Sequence, residues 1–348
     1  MRRGARAAAP CGAGIGSEDS GRKVTAPPRW IAGVDIGGTN LRVGLVPFEG
    51  GRPVEIGRER TCAERGPAHV VTRVAAMLRD ACREVRPGSV AGIGVGAPGP
   101  LDRGSGVVLE TPNLGWRNVP LRDLVREAAG LPVVLDNDAN CAAYGEWWQG
   151  AGRGADRLIG LTLGTGIGGG IVIDGEIYGG ASGGAGEVGH MSVDFAGRLC
   201  ACGARGCVEA YASGPGIAAR AVEGLADGAD SVLAAIADRE NGRITARRVC
   251  EAAAAGDRYA SRVLAEAAGI LAVAVANLIN LLNPDVIVIA GGVTSAGEHL
   301  FEPLDREVRR RAFRSAMAAC RIVPAELRGA AGVIGAAGVF KHGVYGHV

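Results

Sequence analysis

The chain has 348 residues, 38 basic and 36 acidic side chains and 47% hydrophobic residues, enough apolar material for a sizeable core and more than one lobe. Its only lysines are Lys23 and Lys341, which excludes P-loop, pyridoxal Schiff-base and protein-kinase chemistries, each built on a core lysine. The net charge is +2, but residues 1–29 hold six basic and two acidic side chains, so the remainder stands at −2. A nucleic-acid binder carries its basic excess in its folded part, so no nucleic-acid partner is expected.

No run reaches the roughly 18 apolar residues of a membrane span. The richest, 269–282, is interrupted by Asn277 and Asn280 and reads as a buried helix. The N-terminal arginines precede no apolar run, so no secretory signal is read and a cytoplasmic location is expected. Residues 1–29 are Ala, Gly, Arg, Ser and Pro with almost no large apolar side chain. They read as a disordered extension or as a tail without a role.

Order is expected from Trp30. Residues 31–46, IAGVDIGGTNLRVGLV, read as strand, Gly-Gly turn and strand. Residues 158–173, LIGLTLGTGIGGGIVI, repeat this pattern without gaps, Gly33 falling on Gly160 and Gly37 on Gly164. Internal duplication explains the match, with two independent hairpins as the alternative. Between the two segments, Val70, Val74, Met77, Ala81 and Val85 mark one helix face after Pro67. A strand over 89–96, a helix over 121–129, a strand over 132–135 and a helix from Asp138 to Gln149 follow. After the second segment come helices over 244–255 and 257–282, a strand over 285–290, the Gly291-Gly292 turn and a strand near 320–324. A closely packed small-residue helix is expected over 332–339. Alternating strands and helices in two related halves predict a two-lobed α/β protein with a central cleft.

The glycine turns carry the first chemistry. Gly37-Gly38-Thr39 and Gly164-Thr165-Gly166 lack blocking side chains, so their N–H groups and hydroxyls can approach anionic oxygens. Residues 164–169 match G-x-G-x-x-G, but a strand follows where a dinucleotide fingerprint opens a helix. Either turn alone is a plain hairpin; facing each other across a cleft, the pair clamps a polyphosphate. Asp35, beside the first turn, can orient hydrated Mg²⁺.

The segment Asp136-Asn137-Asp138-Ala139-Asn140 joins a strand to a helix. One of its polar residues is explained as a helix N-cap; four in five are not. At a cleft mouth Asn137 can bind a substrate hydroxyl while Asp138 accepts its proton, as phosphoryl transfer to an alcohol requires.

His190, Cys200, Cys202 and Cys207 have the spacing of a closed tetrahedral zinc site, with free buried cysteines as the alternative. Four protein ligands leave no open position, so the zinc is expected to be structural and the compartment reducing. Glu187 and Glu209 bracket this cluster. They read either as solvated charges or, with His190, as groups that the metal loop aims at a polyol.

These segments together resemble the ROK family (repressors, unclassified reading frames and sugar kinases), most closely its bacterial ATP-dependent glucokinases. The resemblance runs from Ile31 to the C-terminus through DIGGT (35–39), TPNLGW (111–116), DNDAN (136–140), LGTGIGGG (163–170), GEVGH (186–190) and CACGARGCVEAYASG (200–214). It implies the duplicated actin-like, ribonuclease-H-like α/β fold, with a small lobe over 30–142 plus 333–348 and a large lobe over 143–332 that holds the zinc-binding loop. It implies that Asp138 is the base for the sugar 6-hydroxyl, attacking the γ-phosphate of MgATP. Asn113, Asn137, Glu187, His190 and Glu209 take the sugar positions, His190 serving both zinc and sugar. Gly37, Gly38, Thr39, Gly164, Thr165 and Gly166 take the phosphate positions, and Gly291 and Gly292 pack on the nucleoside. The family is usually homodimeric or homotetrameric.

This chain departs from many relatives at Ala204-Arg205 and at Ala210, which follows the last glutamate. The Glu209-Ala210 pair also occurs among the family's N-acetylmannosamine kinases, whereas Tyr211-Ala-Ser-Gly214 and Asn113-Leu-Gly-Trp116 lean toward glucose. Residues 1–29 are too short and too polar for the helix-turn-helix of a family repressor.

Overall fold

The computed structural model describes residues 29–346 apart from residue 112. The expected N-terminal extension, up to residue 28, lies outside the described residues.

Strands β1 (Trp30–Ile36) and β2 (Asn40–Pro47) form the first glycine hairpin, and β3 (Val54–Arg60) extends it antiparallel. Helix α1 (Pro67–Arg83) begins with proline at its first turn and buries Val70, Val74, Met77 and Ala81 along one stripe. β4 (Val90–Ala97) returns parallel to β1. β5 (Leu101–Asp102), β6 (Val107–Thr111) and β7 (Trp116–Val119) form a separate three-stranded sheet. After α2 (Leu121–Ala129), β8 (Val133–Asn137) completes the first main sheet, in the order β3-β2-β1-β4-β8, and runs directly into α3 (Asp138–Gln149).

The second half repeats this plan. β9 (Arg157–Leu163), β10 (Ile167–Ile173) and β11 (Glu176–Ile177) form the meander. A long excursion carries a 3-10 turn at Val188–His190, then α4 (Glu209–Ala212), α5 (Gly214–Ala226), α6 (Val232–Arg239), α7 (Ala246–Ala254) and α8 (Arg258–Leu282). β12 (Val286–Ala290), α9 (Glu298–Arg311), α10 (Arg314–Ala319), β13 (Arg321–Pro324) and α11 (Ala331–Tyr345) close the chain. The second sheet is ordered β11-β10-β9-β12-β13, with the same three-strand meander and the same two parallel additions as the first. β1 and β9 begin at Trp30 and Arg157, and β2 and β10 at Asn40 and Ile167, so the two hairpins keep one offset. The fold is therefore the duplicated actin-like α/β architecture.

Each half has its own core: Val34, Leu41, Val74 and Ile93 in the first, Leu161, Ile217, Leu264 and Ile289 in the second. Burying each such side chain stabilises the fold by about 1.5–3 kcal/mol. Helix α8 is long and apolar enough to span a membrane, but Val263, Leu264, Leu271, Val275 and Ile279 are buried in the second core, which accounts for its composition. Between the sheets lie α3 and α11, joined through Cys141, Tyr144, Ala336 and Val339. Small residues allow their close approach: a Cβ on Gly335 would stand 1.5 Å from the Cys141 carbonyl oxygen, and one on Gly94 1.7 Å from that of Ala336. α3 runs unbroken through residues 142 and 143.

Candidate active site

The end of β8 places four polar residues in one turn and gives each different partners. Asn137 is the N-cap of α3, its Oδ1 accepting the N–H groups of Ala139 (2.8 Å) and Asn140 (3.2 Å). Asp136 is fully buried; its Oδ1 accepts from the Asn137 N–H at 2.7 Å and the Asn140 Nδ2 at 2.9 Å. Asn140 is thereby committed to the core. Asp138 remains, held by the Ala139 N–H at 2.9 Å and opening on the cleft. Burial first, then the Asp35 and Glu187 carboxylates, push Asp138 up to about 7, against the N–H that favours its ionised form. A carboxylate held near neutral pH is suited to accept a proton.

The two glycine turns flank this residue. The Gly37 N–H closes the first on the Asn40 carbonyl at 2.9 Å. Behind it, Asp35 pairs with Arg42 at 2.8 Å across the hairpin; burial pushes its carboxyl up and Arg42 opposes this. In the second turn the Gly164 N–H reaches the Gly166 carbonyl at 2.9 Å, and Glu209 accepts the Ile167 N–H at 2.8 Å. A strand follows the 164–169 glycines, as expected for a hairpin and not for a dinucleotide fingerprint.

His190, Cys200, Cys202 and Cys207 converge, with one ligand atom from each lying within 4.8 Å of all the others. Cys202 Sγ and Cys207 Sγ are 3.7 Å apart, and Cys200 Sγ lies 3.8 Å from His190 Nδ1. Tetrahedral zinc with bonds of about 2.3 Å to sulfur sets sulfurs roughly 3.8 Å apart, so the donor set fits that ion. His190 Nδ1 faces the Cys200 sulfur, and His190 also lines the cleft. Glu209 connects the loop to the second glycine turn: Oε2 takes the Ile167 N–H while Oε1 stands 3.9 Å from Cys200 Sγ.

Three adjoining cavities share this wall. One of about 930 Å³ is lined by Gly38, Asn113, Asn137, Asp138, Gly164, Thr165, Gly166, Glu187, His190, Cys200, Cys202, Glu209 and Gly291. It thus brings every residue expected to touch sugar into one space. A second, about 730 Å³ and mostly apolar, shares Gly164, Thr165 and Pro215 and adds Ala218, Ile244, Cys250, Ala254, Gly292 and Val293. A third, about 760 Å³, holds Asp35, Arg42, Asp138, Gly291, Gly292 and Arg328. Gly37 and Thr39 line none of the three: Gly37 closes its turn, and the Thr39 carbonyl accepts the Thr61 N–H at 2.9 Å.

Sequence reasoning did not single out the apolar pocket, Arg42 or Arg103. Much of the pocket lining, including Pro215 and Ala218 on α5 and Cys250 and Ala254 on α7, reads as ordinary core. Arg42 could have been found from the hairpin register, which sets it opposite Asp35.

Two related lobes, each presenting a glycine hairpin to a shared cleft with a carboxylate between them, define the sugar-kinase class of the actin-like fold. The ROK family model matches residues 31–342, and the chain belongs to the ROK family. A glucokinase of Halalkalibacterium halodurans is 41% identical over 316 residues, covering 90% of this chain and 95% of that protein. A xylose repressor of Caldicellulosiruptor bescii is 36% identical over 249 residues, covering 72% of this chain and 62% of its own. Among solved structures, a ROK family glucokinase from Streptomyces griseus in complex with glucose and AMPPNP is 36% identical, with a TM-score of 0.77 over 89% of this chain and 98% of that one.

Proposed function

We propose that this chain is an ATP-dependent glucokinase. The observation that carries the reading is Asp138. It is the carboxylate of its polar turn that opens on the cleft, held near neutrality, in a cavity adjoining an apolar pocket of nucleoside size. The glucokinase relatives favour glucose as the acceptor.

Glucose occupies the larger cavity, where Asn113, the Asn137 Nδ2, Glu187, His190 and Glu209 bind its hydroxyls. The nucleoside packs in the apolar pocket beside Gly292, and its phosphates pass over the turn at Gly164–Gly166 toward Gly38. Asp138 takes the proton of the 6-hydroxyl as that oxygen bonds to the γ-phosphorus. The bond from phosphorus to the ADP oxygen breaks, giving glucose 6-phosphate and ADP. Asp35 and Asp138 share a cavity and would be the carboxylates facing the Mg²⁺ that accompanies ATP, which would supply charge neutralisation at the phosphates. Zinc would be held by His190, Cys200, Cys202 and Cys207 and would cross-link the loop that presents Glu187, His190 and Glu209.

Similarity to a xylose repressor supports a second reading, a sugar-sensing protein without turnover. ADP release from MgATP with and without glucose, mannose, fructose or N-acetylmannosamine decides between them. Strong stimulation by glucose is expected. Stimulation by another sugar alone reassigns the pocket, and none at all favours the sensing role.

A further inference from the structure

Asp136 lies two residues before Asp138 and is fully buried beneath the same turn. Its Oδ1 is used by Asn137 and Asn140. Its Oδ2 lies 2.9 Å from the Nε of Arg103, which comes from a distant part of the chain. Arg103 follows β5, in the turn between the first two strands of the small sheet.

That turn is itself fastened on both sides. Asp102 accepts from the Gly104 N–H (2.9 Å), the Ser105 N–H (3.3 Å) and the Ser105 hydroxyl (2.7 Å). Arg122 on α2 donates to the carbonyls of Gly104 (2.9 Å) and Ser105 (2.8 Å). A side chain mounted on such a turn has little freedom to drift.

The same guanidinium also meets the opposite half of the molecule. A Cβ on Gly179 would stand 3.0 Å from Arg103 Nη1, and one on Gly183 3.6 Å from the Leu101 carbonyl oxygen. Gly179 and Gly183 belong to the segment that runs from β11 to Glu187. One cation therefore touches the support of Asp138 on one side and the loop leading to Glu187 on the other. Burial pushes the Asp136 carboxyl up, and Arg103 is the largest influence opposing that.

We propose that Arg103 is a positioning residue for phosphoryl transfer, aligning the Asp138 turn with the Gly179–Glu187 loop through its contact with Asp136. This rests on the reading of Asp138 as the base. Without the guanidinium, Asp136 becomes a buried carboxylate lacking its counter-charge, the state that proteins tolerate least. It takes up a proton or rotates, and the turn that orients Asp138 loosens. Asn113, His190 and Glu209, which lie outside this turn and this loop segment, keep their sugar contacts, so the loss falls mainly on turnover.

The test uses the full chain with Arg103→Ala and Arg103→Lys. Arg117→Gln, which removes an exposed pair with Glu110 in the same small sheet, is the control. Glucose-dependent ADP release gives kcat and KM, and calorimetry gives glucose affinity independently of activity. Arg103→Ala is expected to lower kcat about 10- to 100-fold, with glucose affinity close to that of the unaltered protein. Arg103→Lys falls between, and Arg117→Gln changes nothing. The Arg103 side chain is 37% exposed, so added guanidinium ion reaches the gap and restores part of the lost kcat in Arg103→Ala alone. Unaltered kcat in Arg103→Ala overturns the proposal. So does a loss that guanidinium does not restore, or one matched by an equal loss of glucose affinity. Asp138→Asn measured alongside separates the two readings: normal turnover there removes the base, and the role of Arg103 with it.

Discussion

Glu209 accepts the backbone N–H of Ile167 at 2.8 Å, and through that bond the loop bearing the cysteines is tied to the second glycine turn. A Cβ on Gly166 would stand 2.4 Å from the same Glu209 oxygen, so the turn leaves room for that carboxylate only because residue 166 is glycine. Gly166→Ala should therefore displace Glu209 without unfolding the protein. The expected result is a several-fold rise in KM for glucose and for ATP together, on the order of 1 kcal/mol for each. Steady-state kinetics with each substrate varied in turn checks this, and a rise confined to one substrate contradicts the coupling.

The raised Asp138 carboxyl has consequences for both stability and rate. A folded-state value of about 7 against an ordinary 3.8 means that folding favours the protonated group. That contribution is complete below the ordinary value and is lost as pH climbs through about 7. Asp138→Asn is neutral throughout, so it should melt above the unaltered protein at pH 8, with the gap narrowing toward pH 5. Thermal melts at the two pH values decide it; equal gaps contradict the assignment. In the unaltered enzyme the ionised base is needed, so kcat/KM should rise with pH through about 7.

Removal of the metal should act on sugar as well as on stability, because His190 belongs to both the ligand cluster and the cleft. Cys202→Ser is expected to lose zinc on gel filtration and to weaken glucose binding by roughly 10-fold. Elemental analysis paired with calorimetry checks both. Normal glucose affinity in verified zinc-free protein contradicts the coupling.

The contact between α3 and α11 should tolerate no added methyl group. Gly335→Ala would drive a Cβ into the Cys141 carbonyl at 1.5 Å, where backbone on both sides must give way. A loss of about 1–3 kcal/mol is expected, read by urea unfolding, and an unchanged midpoint contradicts the packing.

How much of this was legible in the sequence depended on how local the cause was. The paired hairpins were visible because their strand–glycine–strand pattern repeats along the chain, and the structure retains that offset in β1–β2 and β9–β10. The cluster of His190, Cys200, Cys202 and Cys207 was visible because metal chemistry needs particular side chains at close spacing. In the DNDAN segment a helix N-cap and a base at Asp138 were legible from the excess of polarity. Nothing in it says that Asn137 is the cap, or that Asp136 and Asn140 pair in the core. The apolar pocket was invisible because Pro215, Ala218, Ile244 and Cys250 look like core until the fold leaves a gap beside them. The contact of Arg103 with Asp136 joins two sheets through tertiary structure alone, and no spacing rule reaches that far.

The most direct test of the account is phosphoryl transfer by Asp138→Asn at saturating MgATP and glucose, with glucose affinity measured on the same preparation. The account expects turnover to fall by about 10²–10⁴-fold, the range of a lost general base, while glucose still binds. Turnover within a few-fold of the unaltered protein would remove Asp138 from the reaction and the account with it.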